Sequence, residues 1–145
     1  MNEVTLAESS FTATINAPIE RIDLPAWIFG LADDEYQGCS PAHVATGATH
    51  SPDGRQMAIN VEVFGGSVLV SHFTEEITDK HHVRLASVSD SFTPTGRITL
   101  LEFLAKQGIP FEQFKQARQP VSEAHNRQET PLFAASIERT VLKKR

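Results

Sequence analysis

Three observations predict an α+β fold. Alternating segments bounded by turn signals fill the middle of the chain, helical periodicity takes over after Gly108, and Pro18 and Pro25 punctuate a short helical stretch near the start. The 145 residues are expected to form a single domain, long enough to bury about two thirds of the surface an unfolded chain exposes. Hydrophobic residues make up 40% and charged residues 21%, a balance that supports a packed core without disulfides or a structural metal.

From Phe11 to Asn16 the order is compatible with a strand carrying Phe11, Ala13 and Ile15 on one face. Pro18 ends it, because proline removes a ladder donor and suits a first helical turn. Ile19, Ile22, Leu24, Trp27, Ile28 and Leu31 then fall near helical spacing, cut at Pro25, which predicts two short helices with the second starting there. Strands follow at "HVATGATH" (43–50) and, after the turn "SPDG", at "RQMAINVEVF" (55–64), where Met57, Ile59, Val61 and Val63 alternate with Gln56, Ala58, Asn60 and Glu62. Gly65-Gly66 predicts a tight hairpin into "SVLVSHFTEEI" (67–77), since paired glycines supply the positive dihedrals a two-residue loop needs. "TDKH" turns into "HVRLASVSDSF" (82–92) and "TPTG" into "RITLLEFL" (97–104), which completes an antiparallel meander. Beyond Gly108, Phe111, Phe114 and Arg118 share a helical face, and Phe133, Ile137 and Val141 repeat every four residues. Thr130-Pro131 reads as a cap and first-turn proline, so the C-terminal third is either two helices or one long helix bent at Pro120 or Pro131.

The formal net charge of −5 and the lack of any basic run longer than Lys143-Lys144-Arg145 argue against nucleic acid as a partner. Those last cations suit the negative end of a terminal helix. Cys39 is the sole cysteine, so no intrachain disulfide forms. "MNEVTLAESS" lacks the basic region and apolar core of a signal peptide, and no apolar run approaches the ~20 residues that span a bilayer, so a cytoplasmic location without integral membrane association is expected.

In this order of elements the chain resembles the helix-grip superfamily that includes START lipid-transfer domains, plant Bet v 1-type proteins and bacterial polyketide cyclases. "FTATINAPIERI" (11–22) looks like that group's first strand, which ends in Ala-Pro-x-Glu as a helix begins, and "ASVSDSFTPTGRITLLEF" (86–103) fits its late strands less distinctively. The resemblance implies a curved antiparallel sheet of six or seven strands wrapped around a long C-terminal helix, with two short helices after the first strand. It also implies an apolar cavity between sheet and helix, in which members bind lipids, hormones or polyketides and some catalyse cyclisation, dehydration or hydrolysis. A fold does not choose among these.

His72 is the most interesting titratable residue, because "SVLVSHF" sets it on one strand face with Val68 and Val70, where it would act as a general base or hydrogen-bond anchor in a cavity. Arg84 and Asp90 share strand parity and, if turned inward, would orient a polar head group. Six histidines raise the question of a metal, but His43 and His50 point to opposite faces of one strand, His81 and His82 diverge, and Cys39 has no CxxC partner, so no metal or cofactor is expected. Glu75-Glu76, as strand neighbours, also point apart. Trp27, Met57, Phe73, Phe92, Phe103 and Phe133 supply the bulk for a cavity wall, joined by Val61, His72 and Asp90 as ligand-binding candidates. The leading expectation is a binder of a small hydrophobic or amphipathic molecule. The alternatives are a polyketide cyclase or dehydratase using His72 as acid/base, and an interaction module with a filled core and an exposed apolar patch.

Overall fold

The structure, a computed structural model, describes residues 3–64 and 66–143. Gly65 of the expected hairpin and Lys144 and Arg145 of the basic terminus lie outside the described residues. A single 3₁₀ turn at Ile19–Arg21 follows Pro18 and leads into α1, Leu24–Phe29. Here the Asp23 carboxylate accepts from the Ala26 amide at 2.9 Å and Pro25 stands in the first turn, where its missing N–H costs nothing. A further short helix, α2, Asp33–Gln37, precedes a five-stranded antiparallel sheet. Its strands β1 (His43–His50), β2 (Gln56–Phe64), β3 (Ser67–Asp79), β4 (His82–Thr93) and β5 (Gly96–Ile98) pair in sequence order. Helices α3, Leu100–Gln107, and α4, Phe111–Lys143, end the chain. None of the helices among the described residues is long and apolar enough to cross a membrane.

The fold is thus α+β, with five strands among the described residues where six or seven were expected. The first expected strand accounts for the difference, and the last is shorter than expected. Phe11–Asn16 does not join the sheet; residues 8–16 are tied instead to side chains of α4. The Glu8 amide donates to Gln119 Oε1 at 2.9 Å, Asn126 Nδ2 donates to Ser9 Oγ at 2.7 Å, and the Asn16 amide donates to Glu138 Oε2 at 3.0 Å. In "RITLLEFL" only Arg97 and Ile98 pair as a strand, with Gly96 before them, because Thr99 and Glu102 form a reciprocal capping box that starts a helix at Leu100. Gly108 closes α3 in the left-handed region, at φ 66°, where glycine is favoured.

The C-terminal helix is continuous over 33 residues, with Pro120 and Pro131 inside it. Thr130 is therefore not a cap: its hydroxyl donates to the Asn126 carbonyl at 2.6 Å from within the helix. Ile137 and Val141 on this helix bury against Ile22, with Ile15, Leu24 and Trp27 packed around them. Trp27 donates from Nε1 to Ser136 Oγ at 3.1 Å and meets Phe133 edge-on at 5.4 Å, which docks α1 onto α4.

The strand register decides which side chains face α4. Ala58 is buried, Glu62, Phe64 and Leu69 line cavities beneath the helix, and pairing sets Phe73 and Ser71 opposite Ala58 and Asn60. On β4 the matching positions are Ser87, Ser89 and Ser91. Alternation then turns Met57, Ile59, Val61 and Val63, with Val68, Val70 and His72 and with Val88, Asp90 and Phe92, to the opposite face. Val88 is 75% exposed there.

Candidate functional site

Two cavities lie between the sheet and α4. One, of about 490 Å³, is walled mainly by apolar side chains: Leu100, Phe103 and Leu104 of α3, Ile109, and Phe114 and Val121 of α4, over a floor that includes Ser89 and Ser91. The floor explains the space, since a strand that presents serines inward fills little of the volume under the helix. The second, of about 460 Å³, is more polar and is bounded by Glu62, Ser122, His125, Asn126 and the extended segment at Ala7, Glu8 and Ser9. Phe64, Leu69 and Arg118 line both. The Arg118 guanidinium carbon lies 4.2 Å from the centre of the Phe64 ring, and burial lowers its pKa against the opposing pull of Glu62. Among the described residues Arg118 makes no ion pair within 4 Å.

Beside the polar cavity stands a network of five side chains from four elements. Tyr36 of α2 is fully buried, its ring stacked on His43 at 3.8 Å between centroids and 5° between planes. Its hydroxyl donates to Glu62 Oε1 at 2.7 Å, and burial, reinforced by Glu62, raises the phenol so far that it stays a neutral donor. His43 of β1 lies 2.7 Å from the Tyr36 carbonyl through Nδ1. A carbonyl only accepts, so Nδ1 carries a proton and Nε2 is the ring atom turned to the carboxylates. That Nε2 lies 3.3 Å from Glu129 Oε2 and 3.7 Å from Glu62 Oε1, yet forms no hydrogen bond and has no solvent access. His125, one turn before Glu129 on α4, brings its own Nε2 to 3.3 Å from the same Glu129 Oε2. The Glu129 carboxylate beside it raises the His125 pKa against burial. For Glu129, burial pushes the carboxyl up, but the two histidines outweigh it and hold the group below its ordinary value.

The structure brings few of the sequence candidates together here. Phe103 lines the apolar cavity, Phe133 stacks near His43 at 6.0 Å, Trp27 packs on Phe133, and Phe73 shares the helix-facing side of the sheet. Met57, Val61, His72, Asp90 and Phe92 stand on the far face, away from both cavities. The reason is that alternation sets Met57, Ile59, Val61 and Val63 of β2 and Val68 and Val70 of β3 on one face, which invites that face inward, whereas α4 covers the other. His72 Nδ1 rests 3.3 Å from the Val88 carbonyl, Asp90 pairs with Arg97, and Arg84 pairs with Glu76 at 2.8 Å, so Arg84 and Asp90 do not act together. Tyr36, Glu62, Arg118, His125 and Glu129 were missed, and His43 was judged only against His50. The His125-x-x-x-Glu129 spacing sets both groups on one helix face and was the available signal.

The site is braced from behind by Glu35 of α2, which accepts from Arg139 Nη2 of α4 at 2.7 Å. That hydrogen bond, helped by charge from Arg139 and Lys143, holds the Glu35 carboxyl below its ordinary 4.5 despite partial burial. A depressed carboxyl pKa stabilises the fold above the unfolded value and loses that contribution as pH falls through the folded value. Arg139→Gln is therefore expected to lower the urea midpoint at pH 7 and to do so less at a pH acid enough to protonate Glu35 in both proteins. An equal loss at both pH values would contradict this role.

Comparison with protein-family models, with curated proteins and with solved structures returned no match to this chain. Function must be read from the geometry alone.

Proposed function

We propose that this chain is a helix-grip domain that binds a small amphipathic molecule with an anionic head group. The apolar part occupies the space between the sheet, α3 and the first half of α4, and the head group meets Arg118. Support for the fold reading comes from the antiparallel meander, the short helices before it and the long helix lying across one sheet face.

The observation that carries the functional reading is the position of Arg118 in the wall of both cavities. Its guanidinium rests on Phe64 with no carboxylate partner among the described residues, at the point where apolar lining gives way to polar. A desolvated, unpaired guanidinium gains most from an anion presented with an apolar tail, because the fork of donors matches a carboxylate or phosphate. Cavities of this volume are of the size that holds a small ligand.

The test is displacement of an environment-sensitive apolar dye by dodecanoate, followed on the purified chain. Saturable displacement with one dodecanoate per chain is expected. Absence of dye uptake together with absence of dodecanoate binding would overturn the proposal.

A further inference from the structure

We propose that His43, His125 and Glu129 form a binding site for a transition-metal dication of the zinc class. Their ligand atoms, two imidazole Nε2 and one carboxylate oxygen, all lie within 4.8 Å of one another. The site is independent of the amphiphile reading, since none of the three residues is asked to bind that ligand.

Distance is the first argument. Glu129 Oε2 is 3.3 Å from both His43 Nε2 and His125 Nε2. This is long for a charge-assisted hydrogen bond, which runs ~2.7–2.9 Å. It matches the edge of a tetrahedron built on zinc–nitrogen and zinc–oxygen bonds of ~2.1 Å, which is ~3.4 Å.

The second argument is the orphaned atom. His43 has a side chain with 0% exposure, and its Nε2 makes no hydrogen bond. With Nδ1–H donating to the Tyr36 carbonyl, Nε2 is aimed at Glu129 and, beyond it, Glu62. A buried polar atom without a partner is costly, and a cation held between Nε2 and the carboxylate supplies that partner.

The third is the support around the donors. A metal-bound histidine characteristically donates its other ring N–H to a carbonyl or carboxylate, as His43 does. Tyr36 covers the face of the His43 ring and holds Glu62 in place through its hydroxyl. Two imidazoles and one carboxylate suit zinc, and zinc sites with three protein donors leave a fourth position for water or another ligand. His125 and Glu62 both border the polar cavity, from which an oxygen ligand reaches that position.

Zinc and cobalt ions are the probes. After treatment with a chelator and dialysis against zinc, the full chain is expected to retain one zinc per chain, and cobalt is expected to give the intense visible bands of a low-coordinate site. His125→Ala and Glu129→Gln should each weaken zinc binding at least tenfold, with far-ultraviolet circular dichroism unchanged, whereas His72→Ala should leave affinity unaltered. His125 and Glu129 are only partly buried, so these variants are expected to fold even if His43→Ala does not. No zinc retained at micromolar concentrations, or retention unaffected by both variants, would overturn the proposal.

Discussion

Tyr36→Ala is expected to destabilise the protein by about 3–5 kcal/mol, the range for truncating a buried aromatic side chain in a core that relaxes only partly. This side chain ties α2 to β1 and β2. The ring is fully buried and stacks on His43 of β1, the hydroxyl holds Glu62 of β2, and the backbone carbonyl accepts a hydrogen bond from His43 Nδ1–H. Removing the ring opens a cavity beneath α2 and takes away the donor that satisfies Glu62. Tyr36→Phe separates the two effects: it keeps the volume and loses one hydrogen bond to a charged acceptor that retains some solvent access, a loss of about 1 kcal/mol. Urea unfolding of both variants checks this. A Tyr36→Ala loss under about 1 kcal/mol would mean that the stack is not part of the folding core.

Ser91→Trp is expected to lower dodecanoate affinity at least tenfold while leaving the protein folded. Ser91 lies in the floor of the apolar cavity, opposite Phe114, Ala117 and Val121 of α4, and its small side chain leaves the volume in which an alkyl chain would sit. An indole placed there occupies existing space, so it adds apolar contact where an ordinary core insertion would add strain. The check is the dye displacement titration with circular dichroism run alongside. Wild-type affinity in a folded Ser91→Trp protein would place the ligand elsewhere.

Much of the sheet was legible in the sequence. The turns at "SPDG", "TDKH" and "TPTG" divide strands whose limits fall within two residues of those observed, except the end of β5, which stops at Ile98, because turn residues act through local dihedral preferences. The choice of face was not legible. Val, Ile and Met line one side of β2 and β3, so the sequence invites that side inward, yet α4 covers the side carrying Ala58, Glu62, Phe64 and Leu69. That one reversal removed Met57, Val61, His72, Asp90 and Phe92 from the cavity walls and admitted Glu62.

Two local signals went unread. Thr99-Leu-Leu-Glu102 is a capping box that marks the start of α3, and His125 with Glu129 shares a helix face at i, i+4. The two prolines pulled the other way. Proline in a helix interior costs about 3 kcal/mol or more, which argues for a break, but tertiary packing of Phe133, Ile137 and Val141 carries the helix through. His43 is a long-range case, since its meeting with His125 and Glu129 depends on α4 lying across β1 and β2.

The measurement that bears most directly on the amphiphile reading compares dodecanoate with dodecanol on the wild-type chain and on Arg118→Leu by isothermal titration. The account predicts that wild-type protein binds the carboxylate at least tenfold more tightly than the alcohol, and that Arg118→Leu erases the difference while keeping the affinity for dodecanol. Equal affinities for the two molecules in the wild type, or a preference that survives in Arg118→Leu, would contradict it.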